Sequence, residues 1–297
     1  RFGGKATISA TQFGLNVEGP LGEKGGAIFS IRRSYLDFLF QALEQPLIPR
    51  YIDVNFAADY EINPRNRLFI LGLAAIDRVD RDQSSEENRV INAGIMDNTQ
   101  DQYITGIAYR NIGRKLVSNI TANLNRNKYS FSQADESEEV YFESDALETE
   151  AVLKYKGEFF LDRKNGFDFG ASARNAWVDN QTWFADSIYD RSGNLVAVEE
   201  LGLPRQSDVD VTAACYGAYL QYNRKINRLT DAGIGVRADY YDYIAEEFYP
   251  AVRLYFDYMF SRKILLKTSV GTYFQPPSYV WTVNPFNRNL KALRNDM

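Results

Sequence analysis

Histidine is absent from the 297 residues. That removes Ser-His-Asp triads, histidine-based zinc sites and the histidine general bases of membrane-embedded hydrolases. No enzyme activity, metal site or cofactor is therefore expected. Cysteine occurs once, at Cys215. An internal disulfide is impossible, the redox compartment cannot be read, and Cys215 reads as a small residue filling a strand position. Positive charge is in deficit, 34 Lys and Arg against 39 Asp and Glu, for a net charge of -5 and a pI near 5.1. Nucleic-acid partners, which select clustered positive charge, are not expected. Long apolar runs are missing too. The longest, around Phe69 to Ile76, falls far short of the roughly 20 residues a membrane helix needs.

What the chain does have is alternation and aromatic residues. Tyr and Phe number 20 and 19, and mean hydropathy is -0.38, a value compatible with strands that turn one face to water. From Tyr51, the residues Ile52, Val54, Phe56, Ala58, Tyr60 and Ile62 share one phase, with Asp53, Asn55, Asp59 and Glu61 in the other. A period of two over this length marks a strand with one apolar face. Asn63 to Asn66 supplies turn chemistry. A second strand then returns with Phe69, Leu71, Leu73 and Ala75 on one face and the small Gly72 and Ala74 on the other.

The same alternation recurs to Thr272 without a helix-period segment, so the chain reads as an antiparallel meander. Short turns at 22–26, 63–66, 113–114, 162–165, 223–228 and 261–263 alternate with connections that are mostly longer. Barrels with short periplasmic turns and long extracellular loops sort their connections in this way, whereas a soluble sandwich has no reason to. The amide row on the face opposite to Ser118, Ile120 and Leu124, namely Asn119, Asn123, Asn125 and Asn127, suits a wet interior. The apolar phase flips at Thr11–Gln12, which requires either a bulge or a tight reversal. A reversal gives about thirteen strands and a bulge about twelve; the reversal is preferred. After Phe274 the chain is expected to stay irregular to Met297.

Two segments resemble a known family. Gly19-Pro20-Leu21 followed by Phe29-Ser-Ile-Arg-Arg-Ser-Tyr-Leu-Asp37 resembles the start of the barrel in TonB-dependent outer-membrane transporters, of Bacteroidetes type. Gly271-Thr-Tyr-Phe-Gln-Pro-Pro277, with Asn284-Pro285 and Asn289-Leu290-Lys291, resembles their mid-barrel extracellular loop. Where family members often carry Pro and Glu after the Leu-Lys pair, this chain has Ala292 and Leu293. The resemblance implies an all-β transmembrane barrel of twenty-two strands around an N-terminal plug. Residues 1–297 would be a partial outer-membrane β-barrel domain with 12-13 strands, without the plug or the closing strands. The start at Arg1, with no signal peptide, is read as a mature portion or a fragment.

The function so implied is TonB-energised import of a bulky nutrient of the siderophore, cobalamin, glycan or peptide class across the outer membrane of a Gram-negative bacterium. Expected partners are outer-membrane lipids, the protein's own plug domain, the TonB complex, the nutrient and a surface lipoprotein. The alternative is a passive or secretion-associated barrel. Arg33, Arg174, Arg237, Asp239, Arg253, Asp257 and Lys267 are assigned to the inward phase as plug- or ligand-facing residues. Trp183, Tyr189, Tyr279 and Trp281 are loop aromatics that could stack on a ligand. The run Asp135-Glu136-Ser137-Glu138-Glu139 reads as a solvated acidic loop.

Overall fold

The computed structural model describes residues 1–135, 138–189, 194–202, 204–282, 287 and 289–296. The calls on Glu136, Ser137, Asn284 and Pro285 lie outside these residues, as does the side chain of Tyr189. One antiparallel sheet dominates, with strands in sequence order apart from a small two-stranded insertion. Its first half comprises β1 (Gly3–Ile8), β2 (Gln12–Pro20), β3 (Gly25–Ser34), β4 (Leu47–Asn63), β5 (Asn66–Arg81), β6 (Asp97–Ile112) and β7 (Leu116–Ala134). It continues through β8 (Val140–Phe160) and β9 (Asn165–Phe184). A small ribbon of β10 (Ser187–Tyr189) and β11 (Leu195–Ala197) interrupts before β12 (Gln206–Lys225), β13 (Thr230–Tyr241), β14 (Phe248–Ser261), β15 (Ile264–Gln275) and β16 (Leu293–Asp296). Among the described residues, three short α-helices sit in long connections: α1 (Leu36–Ala42), α2 (Glu86–Ala93) and α3 (Tyr279–Thr282).

The phase flip at Thr11–Gln12 is a reversal: Ile8 pairs with Phe13 and Gly3 with Glu18 across a four-residue turn. The sheet has fourteen strands because Leu293–Asp296, read as irregular, returns to pair with Thr272–Gln275.

Register fixes which residues share a face, because directly opposed residues of an antiparallel pair point the same way. Phe56 opposes both Phe29 and Gly72. Carried across the sheet, this face holds Ile70, Ile107, Leu124, Leu153, Ala173, Leu220, Val236, Leu254 and Val270. No acidic or basic residue interrupts this row from Ile52 to Tyr60, Tyr103 to Tyr109, Thr149 to Phe159, Phe167 to Trp177 or Val252 to Tyr258. These apolar side chains are open, with Leu153 and Val236 each 54% exposed. A continuous exposed apolar surface of this kind is a lipid-facing band. On β9 it runs from Phe167 to Trp177, and on β14 from Phe248 to Tyr258. Ten residues of a strand tilted near 45° rise ~24 Å, the height of the apolar band in a membrane barrel.

The opposite face is the lumen. Asp53 opposes Arg32, the asparagine row of β7 opposes Gln102 to Arg110, and Lys154 opposes Ser172. On β5 both faces are apolar. Phe69, Leu71 and Leu73 oppose Asp59, Ala57 and Asn55 and so face the lumen, whereas Leu68, Ile70, Gly72 and Ala74 face lipid.

Candidate functional site

The upper lumen wall between β8 and β15 gathers charge and aromatic rings under a long connection. On β9, Arg174 opposes Val152 on one side and Cys215 on the other. Cys215 opposes Tyr241. All belong to the lumen phase, and Arg174 stands nine residues above the start of β9 at Asn165, or ~21 Å along the barrel axis. The Arg174 guanidinium lies 3.5 Å from the Glu150 carboxylate on β8. Next to it, Arg237 donates twice to Asp239, at 2.6 Å each. This pair lies over Gly217, where a Cβ would meet Asp239 Oδ1 at 2.6 Å. Lys154, one turn of the pleat below, has no carboxylate partner among the described residues.

The connection after β15 roofs this wall. Tyr279 donates its hydroxyl to Glu150 at 3.2 Å, and Tyr243 donates to the Pro277 carbonyl at 3.3 Å. The Ala292 amide donates to the Tyr249 hydroxyl at 3.0 Å, and the Ala245 amide to the Leu290 carbonyl at 2.9 Å. Four tyrosines and a phenylalanine pack between roof and wall. Tyr241 and Tyr249 are 5.5 Å apart by ring centroid, Tyr243 and Tyr279 5.4 Å, and Tyr249 and Phe274 4.9 Å. Burial, with the neighbouring Cys215 next, pushes the Tyr243 and Tyr279 phenols well above their ordinary range. Both therefore remain protonated hydrogen-bond donors. A cavity of about 400 Å³ remains below the roof, lined by Lys154, Arg174, Arg237, Asp239, Tyr241 and Phe274 among others. Its cations and phenols can hold an anionic, multi-oxygen ligand, with Glu150 and Asp239 orienting the arginines.

Of the residues singled out from sequence, Arg174, Arg237, Asp239 and Tyr279 meet here. Arg253, Asp257 and Lys267 also face the lumen but lower down. Arg253 lies over the Tyr273 ring at 4.3 Å, and Asp257 opposes Lys267. Trp281 sits on α3 and is 59% exposed.

Two assignments are corrected by register. Arg33 opposes Phe13 and Ile52 and so shares the outward row; its guanidinium bonds Asp37 at 3.0 Å at the head of α1. The inward arginine is its neighbour Arg32, 2.9 Å from Asp53. Trp183 opposes Glu143 and Gln206 on the outward row of β9, above the apolar band, and belongs to a strand rather than a loop.

Glu150, Tyr241, Tyr243 and Tyr249 were not anticipated. Glu150 was findable, because it lies in the lumen phase of β8 opposite to Leu153. The tyrosines carried no signal among 20 such residues.

A larger concavity of about 840 Å³ lies on the lumen face of β3 to β7. Ile28, Ala57, Phe69 and Leu71 line it, and its Asp59 and Arg67 are already bonded to each other.

No family model matches the chain, and no curated protein matches it. Solved structures do. The copper transporter OprC superposes with a TM-score of 0.64 at 12% identity over 94% of this chain and 45% of OprC. The ferric yersiniabactin uptake receptor FyuA from Yersinia pestis gives 0.62 at 12% identity, over 99% of this chain and 49% of FyuA. The siderophore receptor PirA from Pseudomonas aeruginosa gives 0.56 at 12%, over 93% and 42%. The chain therefore spans less than half the length of these proteins, and at such identity the likeness is one of fold.

Proposed function

We propose that the chain is a length of barrel wall from a TonB-dependent outer-membrane receptor, and that the receptor imports a bulky nutrient by TonB-energised transport. The fold is that of receptor barrels, and the sheet's uncharged outward band supports a place in the outer membrane. The observation that carries the import reading is the roofed lumen site, where Tyr279 ties the β15–β16 connection to Glu150 beside Arg174. A wall lined only for passive flow has no need of a roof held by four directed hydrogen bonds.

That solved neighbours are named for copper and for siderophores supports metal or metal-chelate cargo as the nutrient class proposed here. Arg174, Arg237 and Lys154 beside the phenols suit an anionic chelate or another oxyanion-rich molecule. The plug and the TonB complex remain the partners that the resemblance implies. Uptake of radiolabelled ferric chelates by cells carrying the full-length receptor tests the reading. Import should stop when the inner-membrane proton gradient is collapsed, while surface binding persists. Import unaffected by that collapse would leave the passive barrel as the function.

A further inference from the structure

The outward row of β7 ends its apolar stretch at Leu124 and continues as Arg126 and Lys128. Register keeps both on the lipid side of the wall: Arg126 opposes Tyr103 and Thr149, and Lys128 opposes Asp101 and Leu147. They stand ten and twelve residues above Leu116, the lower end of the strand. That places them ~24 and ~29 Å up the barrel axis, at the upper edge of the apolar band.

Both side chains are exposed, and among the described residues neither has an ion pair or hydrogen bond. Acidic neighbours exist but are engaged elsewhere. Asp101, directly across from Lys128, bonds Arg78 at 2.5 Å. Asp80 bonds Arg50 at 2.5 Å, and Asp145 accepts from Ser130. Beyond β7 the outward row turns acidic, with Asp145 on β8, Asp179 on β9 and Asp210 on β12. Among the described residues at the upper end of the outward row, Arg126 and Lys128 are the cations that no carboxylate holds within ion-pair distance.

We propose that Arg126 and Lys128 form a headgroup site for a phosphate-bearing lipid of the outer leaflet. The inference rests on the outer-membrane reading. Successive residues of one strand row stand ~6.8 Å apart, so the two cations can engage separate anionic groups of one headgroup. Arg126 brings a planar fork suited to phosphate oxygens, and Lys128 adds a mobile point charge. Leu124 below Arg126 and Tyr103 directly across from it meet the upper acyl chain, with the tyrosine at the level interfacial aromatics prefer. The site faces away from the lumen, so plug and nutrient cannot supply the missing counter-charge.

The full-length receptor in neutral detergent micelles should be titrated with phosphatidic acid, with diacylglycerol and with inorganic phosphate, reading bound lipid by native mass spectrometry. Phosphatidic acid should be retained, and diacylglycerol and phosphate alone should not. R126Q/K128Q should weaken retention about thirtyfold, since two interfacial cations are removed. R126E/K128E should lose more, because it adds two negative charges, and Arg163→Ala in the lower turn should change nothing. Equal retention by wild type and R126E/K128E, both showing the heat-dependent gel shift of an intact barrel, overturns the headgroup site alone. Failure of the wild type to insert into lipid vesicles overturns the membrane reading with it.

Discussion

Tyr279 and Glu150 are 129 residues apart in sequence and 3.2 Å apart in space. The bond joins the last long connection to the eighth strand, and Glu150 in turn faces Arg174. One carboxylate therefore serves both roof and wall. Removing the hydroxyl leaves the ring packed on Tyr243 and deletes only the tie. Tyr279→Phe should cost about 1 kcal/mol of local stability. It should raise the rate of proteolytic nicking in the 276–292 connection several-fold while leaving global unfolding unchanged. A nicking rate equal to wild type would show that Tyr279 packs without holding the roof.

Gly217 is required by what lies over it. A Cβ there would stand 2.6 Å from Asp239 Oδ1 and 3.2 Å from both Arg237 Nη2 and Ser172 Oγ. Gly217→Val should displace the Arg237–Asp239 pair and cost roughly 1–3 kcal/mol, the range for overpacking. Gly72 faces lipid with its nearest neighbour, Phe56 Cβ, 4.0 Å away, so Gly72→Ala should fall within about 0.5 kcal/mol of wild type. Urea unfolding in lipid vesicles measures both.

Alternation made the membrane part of the wall legible, because lipid on one side and water on the other force a period of two. Above the membrane both faces meet water, and the pattern fades while pairing continues. For this reason the ladder continues through Ser130 to Ala134 and Glu143 to Asp145, with Ser132 opposite to Glu143, where the sequence no longer shows the pattern. Likewise Asn180 to Phe184 still pairs with β12. The register of β5 was hidden for another reason: both its faces are apolar, so only the partner strand shows that Phe69 points inward. The site was half legible. Arg174, Arg237 and Asp239 sit in the lumen phase of their strands, but the roof over them depends on loop geometry that leaves no periodic trace.

Phe56 lies seven residues above the lower end of β4, on the outward row, which places it ~17 Å up the axis and near the middle of the band. Phe56→Arg should destabilise the barrel by roughly 2–4 kcal/mol in refolding from urea into vesicles. Asn123→Arg, in the lumen row of β7, should cost much less because its new charge stays in water. Equal costs would mean that the two faces have been exchanged.

The lower turn between β8 and β9 is held by one carboxylate. Asp162 accepts from the Asn165 side chain at 2.8 Å and from the Lys164 and Asn165 amides at 2.6 and 2.9 Å. The Asn165 side chain, then the Lys164 amide, draw its pKa below the usual carboxylate value. A pKa lowered on folding means that the stabilisation is fully present above the unfolded value and is lost as pH falls through the folded one. Asp162→Ala should therefore cost stability at neutral pH, and the difference from wild type should shrink as the solution is acidified below about pH 4. Asp162→Asn keeps the acceptor oxygen but not the charge, so it should retain part of the turn at every pH. Unfolding series of the three proteins between neutral and acidic pH make the comparison. An Asp162→Ala penalty that stays constant with pH would mean that the turn is held by its backbone and not by the charged carboxylate.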